Sequence, residues 1–100
     1  MNFRFKKERI EKLYLEEKGA EKYSKAVVEA FFRVMSIIAA AEDERDIRAF
    51  KSLRFEKLEG ERGKRGERSL RLNDQWRLII SIEYDEKGKL ILIIDIEDYH

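Results

Sequence analysis

The chain has 100 residues, with no cysteine and no proline. About 100–150 residues make one domain, so residues 1–100 read as a single unit with room for one core and little for an enclosed pocket; chemistry is expected on an open face. The missing thiols exclude thiolate nucleophiles, cysteine zinc sites and disulfides, and they fit a reducing cytoplasm. The longest apolar run, Leu90 to Ile94, is far short of the ~20 residues of a membrane helix, and no apolar core of a signal peptide follows Arg4, Lys6 and Lys7.

Charged residues make up 43% of the chain but leave a net charge of only +1, so bulk charge does not announce a nucleic-acid binder. Distribution says more. The span from Arg54 to Arg77 carries +3, and residues 78–100 carry −4. The central excess is a modest electrostatic footprint for phosphate.

In chain order, Asn2 to Phe5 reads as an edge strand. Lys6 to Lys18 has Ile10, Leu13 and Tyr14 at helical spacing, and Gly19 is the expected stop, because glycine takes the left-handed conformation that ends helices. Ser24 is the expected N-cap of a second helix reaching about Ala41, with Tyr23 and Val28 placed to close over it as a hydrophobic staple. This helix is apolar over more than one face (Val27, Val28, Phe31, Phe32, Val34, Met35, Ile37, Ile38), which predicts packing on the sheet and on the first helix. Asp43 is placed to cap a short third helix through Ile47 and Phe50.

Strands follow. Phe55 to Glu59 is the first. Gly60, Gly63 and Gly66 punctuate a charged loop; no Gly-Lys-Ser/Thr follows, so no phosphate-cradling loop is formed there. In Glu67 to Leu72, Leu70 and Leu72 face one way and Ser69 and Arg71 the other. Asn73-Asp74 is a turn, so Arg71 and Arg77 come onto neighbouring strands. Trp76, Leu78, Ile80, Ile82 and Tyr84 form an apolar face. Asp85 to Gly88 is a hairpin turn, and Lys89 to Glu97 reads as a central strand, apolar on both faces. Helices first and strands later give an α+β fold with helices on one face of a mainly antiparallel sheet.

The chain also offers the parts for RNA cleavage without a metal. Such a reaction needs a proton acceptor for the 2′-hydroxyl, a donor for the 5′-oxygen and cations around the phosphate. Arg62, Arg71 and Arg77 are permanent, bidentate cations. Glu56, Asp98, Tyr99 and His100 offer proton donors and acceptors, and Tyr99 can alternatively stack on a base. Asp95 and Glu97 share a strand face but are too few for a hard-metal cage, so no metal is expected.

Three segments carry a resemblance: Leu58-Glu59-Gly60-Glu61-Arg62, Asn73-Asp74-Gln75-Trp76-Arg77 and Asp98-Tyr99-His100. With them the chain resembles the HigB-type toxins of the RelE/ParE superfamily, small bacterial toxins of type II toxin–antitoxin systems. The resemblance implies a RelE-like fold and a ribosome-dependent endonuclease acting on messenger RNA. Its catalytic residues would be His100, Tyr99, Asp98, Glu56, Arg71 and Arg77, with Arg62, Lys57, Lys64, Arg65 and Arg68 on the RNA. It also implies a helix-turn-helix antitoxin of the HigA type as partner, alongside the ribosome and its messenger, and no small-molecule cofactor or membrane. Two alternatives on the same fold are a ParE-like toxin that poisons gyrase and a nuclease-inactive member acting only in an autoregulatory complex with its antitoxin.

Overall fold

The structure, a computed structural model, describes residues 1–99; His100, one of the expected catalytic residues, lies outside the described residues. The apolar run of the last strand sits inside the sheet, as its composition requires. This strand, β5 (Gly88–Asp98), lies between β1 (Phe3–Phe5) on one side and β4 (Trp76–Asp85) on the other. β3 (Glu67–Arg71) and β2 (Glu56–Lys57) continue outward from β4, giving the order β1-β5-β4-β3-β2. β1 is the expected edge strand and runs parallel to β5; every other pairing is antiparallel. The architecture is the expected mixed α+β one.

The helices cover one face. α1 (Glu8–Glu16) contributes Ile10 and Leu13, and α2 (Lys25–Ala40) contributes Val27, Ala30, Phe31, Val34, Met35 and Ile38. They share one buried cluster with Leu70 of β3, Leu78 and Ile80 of β4, and Ile91, Ile93 and Ile96 of β5. The wide apolar surface of α2 is used twice. Tyr14 of α1 stacks on Phe32 at 6.1 Å and meets Phe31 edge-on at 6.4 Å, while its ring also contacts Phe3 and Phe5 of β1. Trp76, at the head of the apolar face of β4, is partly buried and packs edge-to-face on Tyr23 at 5.5 Å.

The expected caps form. Ser24 Oγ accepts from the Val27 amide at 3.3 Å. Asp43 caps α3 (Glu44–Arg48) by accepting from the Arg45 amide at 3.1 Å, and this bond does most to hold its carboxyl down at about 2. α1 stops earlier than expected. Glu17 takes the left-handed cap conformation (φ 56°) and closes the helix on the Leu13 carbonyl, while Gly19, also left-handed (φ 85°), leads into a 3-10 turn at Ala20–Lys22. Phe50 falls outside α3 and is 47% exposed, because the chain turns away into a single 3-10 turn at Lys51–Leu53.

The segment read as a charged loop is a short helix, α4 (Gly60–Lys64). Two glycines permit it. Gly60 takes φ 68°, which turns the chain out of β2. At Gly63 an added Cβ would lie 1.7 Å from the Leu58 carbonyl oxygen, so only glycine allows the helix to lie against that backbone. Arg62 then ties α4 down: its Nε donates to Glu67 at 2.9 Å, and Nη1 and Nη2 each donate to Glu97 at 2.8 Å. Arg65 adds a bond to the other Glu67 oxygen at 3.1 Å.

The β4–β5 ladder carries a bulge. Ile79 stands opposite Asp95 but Ile80 opposite Ile93, so β5 holds one extra residue. Alternation from Ile91 and Ile93 would have sent Asp95 and Glu97 under the helices. Instead Ile96 joins the core opposite Leu78, and Glu97 stands opposite Arg77.

Two consequences are measurable. Gly63→Ala forces a backbone shift at Leu58 and should lower stability by about 1–3 kcal/mol, the usual cost of overpacking; denaturant unfolding checks this. Burial pushes the Glu67 carboxyl up, but the hydrogen bonds from Arg62 and Arg65 outweigh it and hold it below the ordinary glutamate value. A depressed carboxyl contributes stability that is complete above its unfolded value, about pH 4.3, and is lost as pH falls through the folded value. The stability gap between the parent and Glu67→Gln should therefore shrink as the pH is taken from neutral into that acid range.

Candidate active site

The sheet face away from α1 and α2 carries Glu56, Arg71, Arg77 and Glu97, whereas the register puts Lys57 and Arg68 in line with Ile80 of the helix-covered face. In the β3–β4 register Arg71 stands directly opposite Arg77 and Ser69 opposite Ile79. Glu56 of β2 pairs with Ser69, and Glu97 of β5 with Arg77. Two permanent cations therefore do sit side by side on neighbouring strands. Like charges directly opposed destabilise a sheet, so the arrangement costs stability that the fold recovers elsewhere.

A groove of about 240 Å³ opens on this face, lined by Leu58, Glu59, Arg62, Arg77, Ile79, Glu97, Asp98 and Tyr99. Arg77 is its organising group. It is only 8% exposed, and its Nη1 donates to the Asn73 carbonyl at 2.5 Å and the Trp76 carbonyl at 3.2 Å. Its guanidinium lies 4.4 Å from the centre of the Tyr99 ring, a cation–π contact. Carbonyls and a ring orient the guanidinium without neutralising it, and among the described residues Arg77 forms no ion pair. Tyr99 is 53% exposed, and its amide donates to the Gln75 carbonyl at 2.6 Å. Asp98 accepts from Gln75 Nε2 at 3.0 Å. Gln75 thus pins the end of β5 to the β3–β4 turn, where Asn73 Oδ1 accepts from the Gln75 and Trp76 amides.

The groove gathers Asp98, Tyr99, Arg77 and Arg62. Arg71 lies beside it, in ion-pair contact with Asp74. That contact comes first among the causes that hold the Asp74 carboxyl below its ordinary value. Arg62 is committed to Glu97 and Glu67. Arg65 is on Glu67, Lys64 near Glu61 at 3.5 Å, and Arg68 on the Gly63 and Glu67 carbonyls. Lys57 and Glu56 are exposed on β2, with Glu56 on the same face but outside the groove lining. The groove contains four residues that the sequence gave no site role: Leu58, Glu59, Ile79 and Glu97. Leu58 and Ile79 supply apolar lining, and Glu97 aligns Arg62. Asp95 is likewise engaged, accepting from Lys7 and Arg9 at 2.6 Å each. Among the described residues no three acidic, histidine or cysteine side chains are grouped to hold a metal, and no helix is long and apolar enough to cross a membrane.

A buried, oriented cation, a half-exposed aromatic ring and three carboxylates (Glu59, Glu97 and Asp98) meet along one open edge. Comparison with known proteins agrees in fold and family. The structure matches a solved "YoeB/ParE toxin from Agrobacterium tumefaciens" with a TM-score of 0.61 over 100% of both chains, at 13% sequence identity, a likeness of fold. No curated protein sequence matches the chain. The family model of the HigB-like toxins, described as "RelE-like toxin of type II toxin-antitoxin system HigB", matches residues 3–100. With nearly its whole length under that model, the chain belongs to the HigB-like family of RelE-like toxins from type II toxin–antitoxin systems.

Proposed function

We propose that this toxin is an endoribonuclease that cuts messenger RNA on the ribosome, and that the groove around Arg77 is its active site. The observation that carries the reading is the Arg77 guanidinium, without an ion pair among the described residues, fixed by two carbonyls over the Tyr99 ring and sharing the groove with Asp98. In the reaction the 2′-oxygen attacks the adjacent phosphorus and the 5′-oxygen leaves, so one proton departs from the 2′-hydroxyl and one reaches the 5′-oxygen. The products are a 2′,3′-cyclic phosphate and a 5′-hydroxyl.

Roles follow from chemistry. Arg77 and Arg71 hold the non-bridging oxygens and stabilise the charge that grows on them, usually the largest catalytic term. Among the described residues the hydrogen bonds of Arg77 run from Nη1, and Nε and Nη2 are the donors offered to phosphate. Asp98, Tyr99 and His100, which directly follows Tyr99 in the chain, supply the proton acceptor and donor. Glu56, on the same sheet face, is the next acceptor in line. Arg62 is a positioning residue: it fixes Glu97 and α4, and through them the groove wall. Lys57, Lys64, Arg65 and Arg68 add to the field that attracts the RNA backbone. The partners under this reading are the ribosome, its messenger and a HigA-like helix-turn-helix antitoxin, met in the cytoplasm without a cofactor.

Two tests follow. On translating ribosomes, deletion of His100 and Asp98→Asn should each slow cleavage by about 10²–10⁴-fold, the usual weight of a general acid or base, and Arg71→Ala by about 10²-fold, with thermal stability nearly unchanged. Primer extension and mapping of the cyclic-phosphate ends read this out; parental cleavage rates in all three variants would remove the groove from the chemistry. Expression in cells should stop translation with cut messengers. Growth arrest with stalled replication and intact messengers would transfer the assignment to gyrase, while a toxin that binds its antitoxin but arrests nothing would leave only the autoregulatory role.

A further inference from the structure

Beyond the groove, a second cleft of about 520 Å³ opens on the far side of Arg77, lined by Lys51, Ser52, Arg54, Arg71, Asp74 and Arg77. Arg77 lines both cavities, so the two adjoin at that side chain and together make a track beside the β3–β4 turn. From the cleft we infer a second phosphate subsite, built by Arg54 and Lys51, that holds the RNA backbone one step away from the scissile phosphate. The inference rests on the nuclease reading above and names how the same site grips its substrate.

Several observations converge on it. The cleft brings four cations together against a single carboxylate, Asp74. Arg71, Arg77 and Arg54 line the same cleft as that carboxylate, and all three favour its charged form, Arg71 most through its direct hydrogen bond. Among the described residues Arg54 and Lys51 form no ion pair, unlike Arg62 and Arg65 of the same basic span. Arg54 is also held in the left-handed region, at φ 45° and ψ 64°, where an arginine is disfavoured. Strain of this kind persists where the surrounding structure imposes it and clusters at ligand sites. Here the backbone is fixed by the turn Lys51–Leu53, whose closing bond runs from the Arg54 amide to the Lys51 carbonyl at 3.2 Å.

Asp74 has a part in this site. Its side chain is 99% exposed and gains nothing from burial, yet it neutralises Arg71. It occupies the place of a phosphate oxygen on that guanidinium and is displaced when the backbone arrives. RNA, rather than an acidic protein surface, fits a track of this form: cations succeed one another along it, and the half-exposed Tyr99 ring stands at one end for a base.

The experiment measures binding of a short 2′-O-methylated single-stranded RNA, which lacks the attacking hydroxyl, from about 50 to 200 mM salt. Arg54→Asn removes the charge while keeping a residue that tolerates the left-handed conformation. It should weaken binding about fivefold at low salt and lower the slope of log K against log salt by about 0.7, one phosphate contact on a single strand. Asp74→Asn should tighten binding and steepen the slope. Lys87→Ala, an equal charge change in the β4–β5 hairpin at the opposite end of β4 from Trp76, should leave both as in the parent. If Arg54→Asn behaves like Lys87→Ala while Arg71→Ala weakens binding, the second subsite is overturned and the nuclease groove stands. If binding is independent of salt and of Arg71→Ala as well, the RNA reading of the whole face is overturned. Thermal melts of each variant confirm that the fold is kept.

Discussion

The extra residue in β5 sets the facing of everything that follows it on that strand. Ile91 and Ile93 point into the core, and an unbroken period of two would have carried Asp95 and Glu97 in after them. A carboxylate buried without a partner costs several kcal/mol, so that register cannot hold. By placing Ile94 and Asp95 together against Ile79, the bulge returns Ile96 to the core and sends Glu97 to the open face. There Glu97 receives the fork of Arg62. The fork fixes α4, and α4 in turn lies against Leu58 because Gly63 has no side chain. Both walls of the groove thus follow from one irregularity in hydrogen bonding, which is how bulges re-aim side chains beside functional sites.

The cations of the central span divide by what holds them. Carboxylates hold Arg62 and Arg65, and their charge is spent inside the fold. Backbone carbonyls hold Arg68 and Arg77, which are oriented while their charge remains. The net +3 of this span therefore says little about where an anion would go. Glu97, from outside the span, takes up part of it through Arg62, and Arg71, Arg77 and Arg54 gather with Asp74 at the β3–β4 turn. Electrostatics here is a matter of which charges have already been paired.

Much of the fold was legible because it rests on local periodicity. Alternation at Leu70 and Leu72 and along Trp76 to Ile82, the wide stripe of α2, and the caps Ser24 and Asp43 are written within a few residues of where they act. The opposed pair Arg71 and Arg77 was legible for the same reason, since a short turn fixes its own register. Long-range features were not. The bulge at Ile94 was not read, although Asp95 and Glu97 in phase with Ile91 and Ile93 pose the conflict it resolves; the guanidinium that receives Glu97 lies 35 positions from it. α4 was read as a loop because five residues show no helical period, and its glycines serve a tertiary approach as well as a turn. For the same reason Arg62 looked like an RNA ligand: its charge is visible in the sequence, and its two carboxylates are visible only in the fold. Arg54 passed unremarked because its left-handed backbone has no signature in a residue of that type.

A chain of this size organises its site on a surface. Catalytic sites that enclose a substrate gain from expelling water, which strengthens every charge interaction within them. The groove here is open, and its order comes instead from fixed orientation: Arg77 held at its Nη1, Tyr99 under the guanidinium, Gln75 joining the strand end to the turn. Preorganised donors of this kind need no rearrangement when charge develops, but in water their effect is damped. Under the proposed reading, the wall that excludes water comes from whatever presents the RNA. A large assembly seated over the groove would lower the dielectric around Arg71 and Arg77 and strengthen their hold on a phosphate. The proposal of a ribosome-dependent nuclease thus has a physical rationale, in that the chain supplies oriented charges and a partner would supply the dry environment in which they act.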